Sequence, residues 1–138
     1  MLSRFSGVMR KVVMTPCVLA VDDDRQVLDF VARVLRPEFQ VVTADDPFEA
    51  MVLAKKLEHL DLVIADYAMP LMNGDAMVAL IRQIWPHVEV LYLTGHPEAE
   101  LDDDRPAQVC LDKPVTPLLL RTMVAMLLFG DLEPKNNA

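Results

Sequence analysis

The sequence places five polar residues directly after short apolar runs, and their types suit one kind of chemistry. They are Asp22, Asp23, Asp66, Thr94 and Lys113. Carboxylates crowded into one pocket repel each other unless a hard divalent cation lies among them. Oxygen ligands without His or Cys suit Mg²⁺, which also binds phosphate. A lysine and a threonine are suitable partners for phosphoryl oxygens, so the set predicts phosphoryl transfer with a carboxylate as acceptor.

This chemistry requires separate strands that end at the same place. Short apolar runs predict strands over residues 17–21, 39–44, 62–65, 88–94 and 108–111. About five helical segments alternate with them, which is typical of βαβ units and predicts a doubly wound α/β fold with a parallel sheet. In such a sheet the site lies outside the carboxyl ends of the strands, where the strand order reverses.

The helices have recognisable starts and apolar faces. Asp46, Pro47 and Glu49 predict an N-cap, a first-turn proline and a capping box. Helical spacing predicts that the first helix buries a stripe of apolar residues and that the next two helices each turn an apolar face toward the core. In chain order these sets are Val27, Phe30, Val31, Val34 and Leu35; Ala50, Leu53, Ala54 and Leu57; Met77, Leu80, Ile81 and Ile84. The other expected caps are Asp24, Asn73 and Thr116, and Gly130 is expected to stop the last helix.

Length and charge narrow the class of protein. With 138 residues we expect one domain over residues 16–130, with tails at 1–15 and 131–138. A net charge of -8 without a basic patch argues against direct nucleic-acid binding. No apolar stretch is long enough for a membrane span, so we expect a cytoplasmic protein. Cys17 and Cys110 are expected to be small core residues without a disulfide.

Five motifs in order resemble one known family. They are Asp22-Asp23, Asp66, Met69-Pro70 with Asn73-Gly74, Thr94-Gly95, and Lys113-Pro114. Together they resemble the receiver domain of bacterial two-component response regulators, over nearly the whole chain. The resemblance implies a flavodoxin-like sheet of order 2-1-3-4-5 and a signalling protein that turns over no separate substrate.

The resemblance also implies a role for each acidic residue. Asp66 is the expected phosphoacceptor, which takes a phosphoryl group from a histidine kinase, a phosphotransfer protein or a small phosphodonor. Asp23 and Asp66 are expected to bind Mg²⁺ with the backbone carbonyl of Ala68, while Asp22 orients the waters of the ion. Three adjacent acids at 102–104 are interpreted as a solvated face.

Other positions of the motif concern the phosphoryl group and the switch. Thr94 and Lys113 are expected to contact the phosphoryl oxygens, Gly95 to leave room for them, and Lys113-Pro114 to be cis. Cys110 stands where the family usually has a switch aromatic, so aromatic coupling behind the threonine is in question. The segment 96–106 has Leu101 as its one large apolar anchor, which predicts a short fourth helix.

The last helix is apolar on more faces than one contact with the sheet can cover, which predicts a homodimer or a docking surface for a downstream protein target.

Two alternatives to the phosphoacceptor function belong to other classes of protein. A pseudo-receiver would keep the fold as a phosphorylation-independent interaction module, and the substitution at Cys110 keeps that alternative open. An aspartyl-nucleophile phosphatase would need a second Asp at position 68, where this chain has Ala68.

Overall fold

Five parallel strands form one sheet in the order β2-β1-β3-β4-β5. The computed structural model describes residues 15–95 and 109–130. The strands are β1 (Cys17–Val21), β2 (Gln40–Ala44), β3 (Leu62–Asp66), β4 (Glu89–Thr94) and β5 (Val109–Asp112). The described helices are α1 (Arg25–Leu35), α2 (Pro47–Lys56), α3 (Gly74–Ile84) and α4 (Pro117–Phe129). The predicted α/β fold and strand order are confirmed.

Helices cover both faces of the sheet, which explains why the central strands are apolar without alternation. Every residue of β1 and β3 is buried. Side chains on one face, such as Val18 and Ile64, pack with α1 and α4, while Leu19 and Val63 on the other face pack with α2 and α3. Because successive strand residues point to opposite faces, a strand between two helical layers must be apolar throughout.

The predicted caps fix where the helices begin. The side chains of Asp24, Asn73 and Thr116 each accept a backbone N–H from the first turn. Asp46 accepts the N–H groups of Phe48 and Glu49, both at 2.8 Å. The capping box differs from the prediction, because the Glu49 carboxylate accepts the N–H of Asp45 at 3.4 Å, one residue before the cap.

The buried stripes are rotated relative to the predicted ones. In α1 the buried residues are Leu28, Val31, Ala32 and Leu35, whereas the predicted Val27, Phe30 and Val34 are half-buried. Leu53 of α2 and Leu57, its C-cap, are half-buried, and in α3 Val78 is buried while Leu80 and Ile84 are half-buried. Each helix contacts a neighbouring helix as well as the sheet, so its apolar arc is wider than the face it buries.

Several predictions lie outside the described residues. These are the short helix within 96–106, the acidic run at 102–104, the C-terminal tail and nearly all of the N-terminal tail. Within the described ranges, no helix has the length and apolar character needed to cross a membrane.

The cap of α2 can be tested by mutation. Asp46→Ala leaves two helix N–H groups without their acceptor, so we expect the free energy of unfolding to fall by about 1 kcal/mol. Urea denaturation followed by circular dichroism measures it. Glu58→Ala, which removes an exposed carboxylate just after the same helix, is the matched control and should change the free energy by less than about 0.5 kcal/mol.

Candidate functional site

Three carboxylates meet at the carboxyl edge of the sheet. Asp22 and Asp23 follow β1, and Asp66 is the last residue of β3, the strand beside it. A carboxylate oxygen from each lies within 4.8 Å of the others. Asp22 and Asp66 are buried, with 2% and 7% of their surface exposed, while Asp23 is exposed to solvent. The pocket therefore has a dry floor and one acidic residue at its opening.

Lys113 reaches into the same pocket from the loop after β5. Its Nζ lies 2.9 Å from Oδ2 of Asp22 and 3.6 Å from Oδ1 of Asp66. The backbone N–H of Lys113 donates to the carbonyl of Thr94 at 2.9 Å, which ties this loop to the end of β4. The Lys113-Pro114 bond is cis, as expected. The structure thus brings together the four charged residues that the sequence singled out.

The environment of Asp22 fits a cation. Its Oδ1 accepts the N–H of Asp24 at 2.8 Å. Its Oδ2 is buried and has the ammonium of Lys113, 2.9 Å away, as its partner. Oxygen donors at this spacing are the ligands that Mg²⁺ prefers, so this cluster could hold a metal ion. Asp24 instead caps α1.

Burial and neighbouring charges shift the pKa values of the charged groups. Burial, and then the charge of Asp22, raises the pKa of Asp66 to about 6. Burial also raises the pKa of Asp22, against the opposing effects of the Asp24 N–H and of Lys113. For Lys113, burial lowers the pKa, but the hydrogen bond and charge of Asp22 and the charge of Asp66 outweigh it, so the pKa is raised. Without a metal ion, Asp66 therefore keeps its proton up to about pH 6, and the charged form of the lysine is favoured.

The loop of residues 67–73 lies between Asp66 and α3 and is held by a close backbone approach. The N–H of Gly74 donates to the carbonyl of Tyr67 at 2.7 Å. A Cβ on Gly74 would overlap the carbonyl oxygen of Asp66, so only glycine allows this contact. The loop carries Ala68, which is exposed and whose backbone N–H helps to stabilise the carboxylate of Asp66.

Thr94 and Cys110 occupy neighbouring strands near the site. Thr94 is fully buried at the end of β4, beside Asp112 of β5. Cys110 is the strand partner of Tyr92 and is half-buried against the core layer of α2 and α3. Neither Cys17 nor Cys110 forms a disulfide, which confirms that prediction. The position of the usual switch aromatic is thus filled by a small side chain next to a tyrosine.

Sequence reasoning missed an aromatic contact below the site. Tyr92 is 1% exposed, and its ring meets that of Tyr67 edge to face, with 5.8 Å between centroids. Its hydroxyl lies 3.4 Å from Oδ1 of Asp75 in the first turn of α3. The only sequence signal for this contact is a tyrosine, with its polar hydroxyl, among the apolar residues in the middle of β4.

The fold and the acidic pocket define a flavodoxin-like α/β protein whose charged residues meet at the carboxyl edge of the sheet. The family model of the response regulator receiver domain matches residues 18–125. The chain therefore belongs to this family, and it is a receiver domain of two-component signalling. The resemblance drawn from the sequence motifs is confirmed.

Known proteins agree with this assignment. A response regulator protein FleR of Pseudomonas aeruginosa is 31% identical over 111 residues, which are 80% of this chain and 24% of the relative. A putative two-component response regulator, ARR13 of Arabidopsis thaliana, is 33% identical over 72% of this chain and 18% of its own length. The chain thus spans less than a quarter of either relative. Crystallised chemotaxis protein CheY4 of Vibrio cholerae has a TM-score of 0.73 and 29% identity, covering 83% of this chain and 100% of that chain.

The raised pKa of Asp66 predicts a stability that depends on pH. The folded state holds a proton on Asp66 up to about pH 6, whereas the unfolded chain releases it near 3.8. The free energy of unfolding therefore falls as the pH rises through that window. In EDTA at pH 7.5, Asp66→Asn should therefore raise the free energy of unfolding by about 1–3 kcal/mol, and by less at pH 4.5.

Urea denaturation of wild type and variant at the two pH values measures this difference. Asp29→Asn is the matched control, because it removes the same charge from an exposed position of α1. Equal stabilisation by both variants, or an Asp66→Asn effect that does not change with pH, would contradict the role of desolvation.

Proposed function

We propose that this domain accepts a phosphoryl group on Asp66 in a Mg²⁺-dependent reaction and transmits the signal through protein contacts. The observation that carries the proposal is the position of the Lys113 ammonium, within 4 Å of both buried carboxylates. A cation held against a buried carboxylate suits a reaction that brings a phosphoryl group there, since phosphoryl transfer depends mainly on positioning and charge neutralisation.

Asp66 is the nucleophile in this proposal. One of its carboxylate oxygens attacks phosphorus and forms a new O–P bond, while the bond from phosphorus to the donor breaks and the donor keeps the electron pair. With a pKa of about 6, the carboxylate is ionised at neutral pH and needs no separate base. Lys113 then neutralises negative charge on the phosphoryl oxygens, because its charged form is favoured in this pocket.

The metal requirement follows from the acidic pocket. Asp23 and Asp66, with the backbone carbonyl of Ala68, would hold Mg²⁺, and Asp22 would orient its waters. When bound, the ion supplies positive charge for the transferred phosphoryl group. Thr94, buried at the end of β4, is the proposed hydroxyl partner of a phosphoryl oxygen. A side chain at Gly95 would meet no atom of the described residues within 4 Å, which is consistent with room for the group.

A donor protein has a place to bind beside the pocket. A cavity of about 520 Å³ lies between the start of α1 and the loop after β5. Apolar side chains such as Phe30 and Val115 line it, and Lys113 stands at its border with the site. An apolar groove next to the reacting carboxylate suits a helix of the proposed histidine kinase or phosphotransfer protein.

The pseudo-receiver alternative is not favoured by these contacts. A phosphorylation-independent module has no need of two buried carboxylates, one of which raises the pKa of the other, yet this chain retains both, together with the lysine between them. In the proposed reaction the acyl phosphate formed on Asp66 is later hydrolysed by water, which releases inorganic phosphate and restores the carboxylate, so the domain turns over no separate substrate. The expected cytoplasmic location remains a prediction.

Phosphorylation can be tested with a small donor. Incubation with acetyl phosphate and Mg²⁺ should add one phosphoryl group, detected by intact mass and removed by hydroxylamine. Asp66→Asn should give no adduct, because the nucleophile is lost. Lys113→Ala should slow the reaction about 10²-fold, by the loss of one positioned charge.

Matched controls separate these effects from a general change in charge. Asp29→Asn and Lys55→Ala, both on exposed helix positions, should react as the wild type does. A wild-type protein that forms no adduct and also shows no heat of Mg²⁺ binding would support the pseudo-receiver instead.

The outer face of α4 is the proposed surface of a homodimer. Four large apolar residues there are 42–68% exposed, namely Leu118, Leu119, Met126 and Phe129. At 100° per residue they lie within an arc of about 100°, on the side away from the buried Leu120 and Val124. A second copy of the same helix would cover this stripe, since an isologous contact pairs an apolar surface with itself.

Sedimentation velocity tests the homodimer. The wild type should show a concentration-dependent shift toward the dimer, stronger with a phosphoryl mimic bound. The double variant Leu118→Ser, Met126→Ser should remain monomeric, while Val52→Ser, at an equally exposed apolar position on α2, should behave as wild type. A monomeric wild type at all concentrations, with and without the mimic, would contradict the dimer and leave a different protein as the partner of this face.

A further inference from the structure

We infer that Tyr92 is a positioning residue that holds the loop of residues 67–73 in place over the acidic pocket. This inference rests on the proposed function, because the loop carries the Ala68 carbonyl that would bind Mg²⁺. Tyr92 does not line the pocket itself, so its effect passes through Tyr67, the first residue of the loop, and Asp75, in the first turn of the helix that follows the loop.

Tyr92 contacts the first residue of this loop and the first turn of the helix that follows it. The ring of Tyr67, the residue directly after Asp66, meets the Tyr92 ring at an interplanar angle of 74°, in the edge-to-face arrangement that aromatic pairs prefer. The Tyr92 hydroxyl lies 3.4 Å from the carboxylate of Asp75, the second residue of α3. One rigid side chain therefore links the end of β3 to the start of α3.

The backbone closes the loop at the same two ends. Gly74 donates its N–H to the Tyr67 carbonyl at 2.7 Å, and a Cβ on Gly74 would overlap the carbonyl oxygen of Asp66. These contacts are possible only while the first turn of α3 stays close to the end of β3. The link through Tyr92 fixes that separation, because it contacts the residue after Asp66 and the residue after Gly74.

Tyr92 is well placed to act as a fixed support. It lies on β4, between its strand partners Ala65 of β3 and Cys110 of β5, and is 1% exposed. A phenylalanine would bury the same ring without placing a hydroxyl in the core, where it costs free energy unless it is hydrogen-bonded. The hydroxyl is therefore best explained by its contact with Asp75.

Mg²⁺ binding is the first measurement, by isothermal titration calorimetry without a phosphodonor. Tyr92→Phe and Asp75→Ala should each weaken Mg²⁺ binding about 3–10-fold, and the double variant should be no weaker than the worse single one, because both remove the same contact. Asp75→Asn keeps an oxygen acceptor and should restore binding to within about 2-fold of the wild type.

Hydrogen exchange of the metal-free protein gives a second measurement. Tyr92→Phe should speed exchange of the Gly74 amide several-fold and leave the Val63 amide in the central strand unchanged. Val90→Ala, which trims the same core layer two residues earlier on β4, is the matched control. It should lower overall stability without changing Mg²⁺ affinity or the exchange of Gly74 relative to Val63.

The outcomes separate this inference from the proposed function. Additive effects of Tyr92→Phe and Asp75→Ala, or an equal loss of Mg²⁺ affinity in Val90→Ala, would overturn the positioning role while phosphorylation of Asp66 could stand. Conversely, a wild type that binds Mg²⁺ through this loop and yet forms no phosphoryl adduct would refute the proposed function alone.

Discussion

The crowding of buried negative charge at one sheet edge is the constraint on which the site depends. Asp22 and Asp66 are both desolvated, and the charge of Asp22 disfavours ionisation of Asp66. Lys113 offsets part of this repulsion, since its ammonium contacts both carboxylates. The remaining excess of negative charge is what a divalent cation would relieve. The affinity of the pocket for a cation and the strain it places on the metal-free fold thus have one physical origin.

The architecture makes this crowding possible and limits it. Parallel strands direct their carboxyl ends to the same edge, so Asp66 of β3 comes next to the acids that follow β1. Apolar layers on both faces keep the floor of the pocket dry, which strengthens each charge interaction. On the solvent side the pocket is bounded by a loop that returns over Asp66, and the return requires glycine at position 74. The charges are therefore positioned by backbone geometry as much as by side chains.

Much of this arrangement could be predicted because its signals are local. The strand runs, the caps at Asp46, Asn73 and Thr116, and the polar residue at each strand end all depend on neighbours in the sequence. The order of the strands came from family resemblance, since local patterns do not determine pairing. The rotation of the buried stripe in α1 was missed because it depends on how the helix divides its apolar arc between the sheet and α4. The contacts of Tyr92 with Tyr67 and Asp75 could not be predicted, because they depend on both the strand register and the placement of α3.

Tyr92 also bears on what the small side chain at Cys110 means. From the sequence, the absence of an aromatic residue on β5 suggests that aromatic coupling is lost. The structure, however, places a buried aromatic ring beside that position on the neighbouring strand. This ring contacts the residue after Asp66 and the first turn of α3, so a change at the acidic pocket has a packed route to a helix. Because packed side chains adopt discrete arrangements and do not deform continuously, such a route can couple a site to a distant surface. A lost residue at one position of a core therefore does not by itself imply a lost coupling, because a neighbouring strand can supply the missing contact.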